Sequence, residues 1–174
     1  MRLHPHDPPA PHCVTASVEE AKTVATFVIR DAVPGDMGAL GGVFRRASLS
    51  NEGDRMALLA NPDALEFPGL GGDDRRTRVA TAGGRIAGFA TSVPAGDVIE
   101  LDDLFVDPAW MRQGAGRALV LDAVAIARDL GAGRIEVTAN PHALVFYGKA
   151  GFVADHEVRT RFGPGTRMHL DVTP

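Results

Sequence analysis

The segment that most constrains this 174-residue chain runs from Val98 to Thr138, where one amphipathic helix lies between two strand-like runs. Val98 to Val106 and Arg134 to Thr138 are short and apolar in the manner of buried strands. Between them, Ala115 to Leu130 sets Leu119, Val120, Ala123, Ile126, Ala127 and Leu130 on one face, with Arg117, Asp122, Arg128 and Asp129 off it. Gly131 stops this helix. A helical crossover of that length leaves its flanking strands parallel, which places the chain among α/β folds.

The remaining elements build out from this unit. Thr26 to Arg30 is a strand, and Pro34-Gly35-Asp36 turns it into a helix carrying Met37, Leu40, Val43 and Phe44 on one stripe. A short second helix covers Arg55 to Ala60. Thr77 to Thr81 and Arg85 to Val93 are strands joined by Ala82-Gly83-Gly84, the composition of a tight hairpin. A helix from Pro141 to Ala150 closes at Gly151, and two strands, Phe152 to Val158 and Thr166 to Val172, end the chain. The expected architecture is one mixed central sheet of seven strands flanked by four helices.

Length suits one domain, expected over residues 23–174, and 45% hydrophobic with 23% charged residues suits a packed core. Residues 1–22 read as an arm, since Pro5, Pro8, Pro9 and Pro11 remove backbone donors. His4, His6, His12 and Cys13 have no metal-ligand spacing, so no metal is expected. A single cysteine excludes a disulfide scaffold. No run approaches the ~18 apolar residues of a membrane span, and the N-terminus lacks the apolar core of a signal peptide. The chain therefore reads as cytoplasmic, with no membrane partner. The net charge of −4, with neither half basic, argues against nucleic acid as a partner. Lys22 and Lys149 are the only lysines, and this bias toward arginine fits a bacterial source.

Where the fourth strand ends, Leu104-Phe105-Val106-Asp107-Pro108 leads through Trp110 and Met111 to Arg112-Gln113-Gly114-Ala115-Gly116-Arg117 at a helix start. Amides there have no intrahelical acceptor and point at incoming negative charge, to which Arg112 and Arg117 add. Trp110 beside Pro108 packs the turn. The dinucleotide fingerprint fails, because its third glycine would fall on Leu119, and no G-x-x-x-x-G-K-[ST] loop is present.

The turn resembles the acetyl-coenzyme A loop of the GNAT N-acetyltransferase superfamily, R/Q-x-x-G-x-G/A. Gly114 and Gly116 are in register, and Met111 stands at the leading R/Q position. Downstream, Asn140, Ala143, Tyr147, Gly151 and Phe152 match the family's N-x-x-A-x-x-x-Y-x-x-x-G-F. The resemblance implies a GNAT fold whose sheet is splayed between strands four and five, with acetyl-coenzyme A as co-substrate. By that resemblance, backbone of Leu104, Phe105 and Val106 binds the pantetheine arm. The pyrophosphate lies on Arg112, Gln113, Gly114, Ala115, Gly116 and Arg117. Asn140 and the helix carrying Tyr147 line the far wall.

Acetylation requires a neutral amine and hence a base. Regular alternation along the fourth strand puts Glu100 and Asp102 on one face and Asp103 on the other, so the first two are the expected pair, with Glu136 a third candidate. Tyr147 is the expected acid for the departing thiolate. With a phenol near ~10 and a thiol near ~8.5, that transfer is uphill by roughly 2 kcal/mol. Glu52 and Asp54 are placed to attract a cationic amine, and Arg159 or Arg161 to bind a carboxylate.

These residues point to an N-acetyltransferase acting on a primary amine of a small molecule or peptide, by direct attack in a ternary complex. The alternative is a non-catalytic acyl-coenzyme A-binding module for sensing or interaction. An acetyltransferase that modifies charged transfer RNA ranks last, for want of a basic face. A homodimer stays open.

Overall fold

The computed structural model describes residues 26–72 and 74–173. The arm expected over residues 1–22, its histidines and Cys13, and the domain start at Thr23 lie outside the described residues. The elements are β1 (Val28–Asp31), α1 (Met37–Leu49), α2 (Glu52–Leu59), β2 (Arg76–Ala82), β3 (Arg85–Ala95), β4 (Val98–Val106), α3 (Ala115–Asp129), β5 (Arg134–Ala139), α4 (Leu144–Lys149), β6 (Val153–Thr160) and β7 (Gly163–Asp171). They form one seven-stranded sheet in the order β1-β2-β3-β4-β5-β7-β6. Only β4 and β5 pair in parallel, as the crossover through α3 requires.

Each face of the sheet has its own helix layer. On one, Leu119, Val120 and Ala123 of α3 pack with Ile99 and Leu101 of β4 and Ile135 and Val137 of β5. On the other, Leu40 and Val43 of α1 cover Val79 and Phe89, and Phe105 packs edge-on against Phe44 with ring centroids 4.8 Å apart. Full burial of one such side chain contributes ~1.5–3 kcal/mol, so the apolar stripes of α1 and α3 determine which way each helix faces.

Beyond shifts of one or two residues at strand and helix ends, three regions differ from the sequence expectation, each for a local reason. Helix α2 starts at Glu52 because Asn51 caps it, accepting from Gly53 N at 3.1 Å. Helix α4 starts only at Leu144, since the main-chain and side-chain oxygens of Asn140 both accept from Ala143 N and hold Pro141 to Ala143 as a turn. The segment from Arg159 to Gly165, expected as a loop, is a hairpin end in which Arg159 pairs with Pro164 and Val158 with Gly165. Pro164 is tolerated because the β5 ladder begins two residues later, at Thr166, so no carbonyl on that side requires the N–H that proline lacks.

The crossover pair is short. Strand β4 meets β5 only at Val98↔Arg134, Ile99↔Ile135 and Glu100↔Glu136, and beyond Glu100 the two strands part. The last rung sets two carboxylates side by side. Arg167 of β7 joins them, donating from Nη1 to Glu100 Oε1 at 2.7 Å and from Nη2 to Glu100 Oε2 at 2.9 Å, and also to Glu136 Oε2. Its Nη1 reaches Thr138 Oγ1 at 3.0 Å as well. Replacing Arg167 by Met keeps an apolar stem and leaves two neighbouring carboxylates uncompensated. The expected result is a lower Tm at neutral pH, with a deficit that shrinks as pH falls and the carboxylates take up protons. A deficit independent of pH in a thermal-unfolding series would contradict this.

Candidate active site

The turn between β4 and α3 is anchored at Asp107, whose Oδ1 accepts from Ala109 N at 3.0 Å and whose Oδ2 accepts from Arg46 Nη2 at 2.6 Å. Burial would raise the Asp107 carboxyl, but the Ala109 amide and the Arg46 guanidinium outweigh it and hold the group below the usual carboxylate range. Trp110 closes the turn edge-on against Phe27. Arg112 (φ 60°) and Gly114 (φ 100°) are both left-handed, a backbone that turns successive amides toward a common point. Helix α3 then begins, and its first internal bond is Ala118 N to Gly114 O. No side chain caps it, so the amides of Ala115, Gly116 and Arg117 have no helical acceptor and are open to an anion.

The packing explains why glycine stands at position 116. A Cβ there would lie 3.0 Å from Phe146 Cε2 and 3.5 Å from Val106 Cγ2, on the packed side of the helix. Gly116 thus lets α3 approach Phe146 and β4, while Gly114 supplies the left-handed turn. The Arg112 and Arg117 side chains are exposed beside the open amides. Gln113 is turned away, its Nε2 donating to Ala109 O at 2.9 Å.

Past Glu100, the edge of β4 that faced β5 has no strand partner through Leu104, Phe105 and Val106. A cleft therefore opens through the sheet, with backbone donors and acceptors free along one wall. Tyr147 on α4 belongs to the α3 side, where its ring packs edge-on between Phe146 and Phe152. Among the described residues no buried side-chain polar atom lacks a partner and nothing accepts from the Tyr147 hydroxyl, so the phenol oxygen keeps some exposure.

The expected carboxylate pair is rearranged by a β-bulge. Thr91 pairs with Asp103 and the next residue, Ser92, with Leu101, so Asp102 is an extra residue in β4 and the alternation reverses there. Glu100 and Asp103, not Glu100 and Asp102, share the face covered by α1 and α2. Asp102 is half exposed and paired with Arg75 Nη1 at 2.6 Å. Asp103 is nearly buried, with 15% of its side chain exposed, and meets Arg75 Nη2 at 3.2 Å. Burial pushes the Asp103 carboxyl up despite a hydrogen bond to Thr91, and the charge of Asp102 adds to the rise. Burial also raises the Tyr147 phenol, with the Asp103 charge as a second cause. Glu100 and Glu136 stand at the neck of the cleft, with both Glu100 oxygens taken by Arg167.

On the same face as Asp103, a cavity of about 370 Å³ lies between α1, α2, the end of β5 and the β6–β7 turn. Phe44, Ser48, Asp54, Thr138 and His142 are among its walls. Asp54 is thus brought to it, whereas Glu52 is exposed outside. Arg161 is held by Asp63 at 2.9 Å and lies over the Phe162 ring, and Arg159 is exposed on β6. Asn140 lines the cavity while its Oδ1 holds the turn before α4. Arg167 and His142 escaped the sequence reading, which set Asp103 on the opposite face from Glu100. The bulge that redirects Asp103 has no sequence signal beyond the Asp102-Asp103 doublet.

The arrangement has counterparts among known proteins. The family model described as the acetyltransferase (GNAT) family matches residues 47–152. The streptothricin acetyltransferase of Streptomyces lavendulae is 34% identical over 155 residues, covering 74% of this chain and 82% of that one. The glucosamine 6-phosphate N-acetyltransferase of Trypanosoma brucei brucei is 33% identical over 81 residues, so the match spans about half of that relative, 47% of each chain. The crystal structure of PaiA N-acetyltransferase from Thermoplasma acidophilum in complex with coenzyme A superposes with a TM-score of 0.65 at 18% identity, over 84% of this chain and 99% of that one.

The raised Asp103 carboxyl has a consequence for stability. The folded state favours the protonated form more than the unfolded state does, so stability is lost as pH rises through the window between the unfolded and folded values. Asp103→Asn keeps the shape and removes the charge. It is expected to raise Tm at neutral pH, with the gain fading as pH falls below the carboxylate range. A variant less stable than wild type at pH 7 would contradict the burial argument.

Proposed function

Because the chain belongs to the GNAT acetyltransferase family, we propose that it moves an acetyl group from acetyl-coenzyme A to a primary amine of a small molecule, by direct attack within a ternary complex. The carrying observation is the sheet that parts after Glu100↔Glu136, with open α3 amides at one end of the gap and a cavity on the face that Asp103 shares. Those amides, with Arg112 and Arg117 beside them, suit a pyrophosphate, and the unpaired edge of Leu104, Phe105 and Val106 suits an amide-bearing arm. The coenzyme A bound in the Thermoplasma relative supports this reading of the cleft. A cavity of about 370 Å³ fits a small acceptor and favours it over a folded protein surface.

Acetyl-coenzyme A supplies the thioester; the chain must orient the amine, take its proton and meet the leaving sulfur. Asp103 is our assignment for the base. It faces the acceptor side, and its raised carboxyl lies closer to the working range than an ordinary aspartate's. As the amine nitrogen bonds to the acyl carbon, its proton passes to Asp103 directly or through one water, and the carbon–sulfur bond breaks. Tyr147 would then hydrogen-bond the departing thiolate from the opposite face. Burial keeps the phenol protonated, so full transfer costs more than the ~2 kcal/mol of an ordinary phenol and a hydrogen bond carries the role. Glu100, engaged by Arg167, holds the neck of the cleft, and Asp102 with Arg75 flanks the base.

Acetyl-coenzyme A at a hundredfold excess over Kd should stabilise the protein by ~2.7 kcal/mol, seen as a rise in Tm. Arg112→Glu with Arg117→Glu should reduce that rise. In a thiol-release assay over a panel of amines, Asp103→Asn should lose ~10²-fold or more in kcat/KM, most strongly at low pH where the amine is protonated. Tyr147→Phe should lower kcat with cofactor affinity little changed. Thiol release from none of the amines, with the Tm rise intact, would favour the non-catalytic acyl-coenzyme A-binding reading.

A further inference from the structure

Accepting the acetyl-transfer reading above, on which this inference rests, we infer that the acceptor carries a second positive charge that docks on Asp54 while its reacting amine faces the cleft. The cavity is lined by two ionisable side chains among the described residues, Asp54 and His142, and by no lysine or arginine. Asp54 Oδ2 accepts from Asn51 Nδ2 at 2.9 Å and lies 3.9 Å from His142 Nε2, and nothing donates to its Oδ1 among the described residues. Thr138 lines the same cavity and touches Arg167 beside Glu100, at the point where β4 and β5 part. The space thus joins the Asp54 carboxylate to the neck of the cleft.

A structural role for Asp54 is the competing explanation, since it sits in the first turn of α2. The backbone there is already capped by Asn51, which accepts from Gly53 N, and Asp54 accepts from no backbone amide among the described residues. Its carboxylate is turned into the cavity, with about a quarter of the side chain (28%) exposed. A cation in that position gains a charge-assisted hydrogen bond away from bulk water. An anionic substituent there would meet Asp54 with no lysine or arginine on the cavity wall to compensate it, since Arg161 is held by Asp63. The site therefore favours a diamine over a phosphorylated amino sugar, the type of substrate for which the trypanosome relative is named.

The test is calorimetric binding to the full chain of putrescine and cadaverine, against butylamine and pentylamine, and of glucosamine against glucosamine 6-phosphate. Wild type is expected to bind the diamines about tenfold or more tighter than monoamines of equal length. Asp54→Asn, which keeps the contact to Asn51, should erase that preference, and Asp54→Glu should restore it. The phosphorylated sugar should bind more weakly than the free one. Equal affinity for diamine and monoamine, a preference that survives in Asp54→Asn, or no binding of any diamine would overturn the inference. A Tm series with acetyl-coenzyme A on the same samples separates the two levels. If acetyl-coenzyme A leaves Tm unmoved while the diamine preference follows Asp54, the acetyl-transfer reading fails and the cation site stands.

Discussion

The parting of β4 from β5 is the constraint on which the rest of this structure depends. A parallel pair built by a helical crossover would ordinarily run the length of its strands, since each unmade rung leaves a donor and an acceptor open. Here it stops after Glu100↔Glu136. Two acidic residues at the last rung would repel, and Arg167 from β7 turns that repulsion into a three-sided clamp by engaging both. The strands are thus fixed together at one end and free at the other. The helices follow from this: α3 covers the joined end and directs its open N-terminus to the free end, while α4 brings Tyr147 to the gap from the same side.

The bulge at Asp102 gives the gap its two chemical walls. Before it, Ile99 and Leu101 face α3; after it, Leu104 and Val106 do. One extra residue restores the apolar side chains to the core despite the change of parity, and it puts Asp103 on the acceptor face beside the buried Thr91. An unbulged strand would have left either Asp103 or Leu104 on the wrong side of the sheet. Core packing and the placement of the proposed base therefore have a single cause.

Much of this fold was legible from periodicity, because α3 and the β2–β3 hairpin carry patterns that tertiary contacts reinforce. The boundaries of β4 and the start of α3 coincide with those read from sequence. What periodicity could not reveal was a break in periodicity. Strict alternation along the strand puts Asp102 on the pocket face and Asp103 away from it, the reverse of the folded arrangement. Likewise, Gly163-Pro164-Gly165 has the composition of a loop, yet it extends a hairpin because its proline faces the end of β5. The Arg167 clamp depends on β7 lying between β5 and β6, a strand order that local sequence does not encode.

The same burial acts on the two proposed reacting groups in complementary ways. Asp103 and Tyr147 enter the gap from opposite faces of the sheet, and each is held toward its neutral form chiefly by loss of water. For an aspartate, that shift makes the carboxylate a stronger base than an exposed one. For a phenol, it secures a proton that a leaving thiolate can use through a hydrogen bond. The charge on Asp103 adds to the rise at Tyr147, so once Asp103 accepts the amine proton that contribution disappears. The phenol then becomes the better donor at the moment when negative charge collects on sulfur. In the proposed mechanism, this coupling favours proton release from the amine before hydrogen bonding to the thiolate.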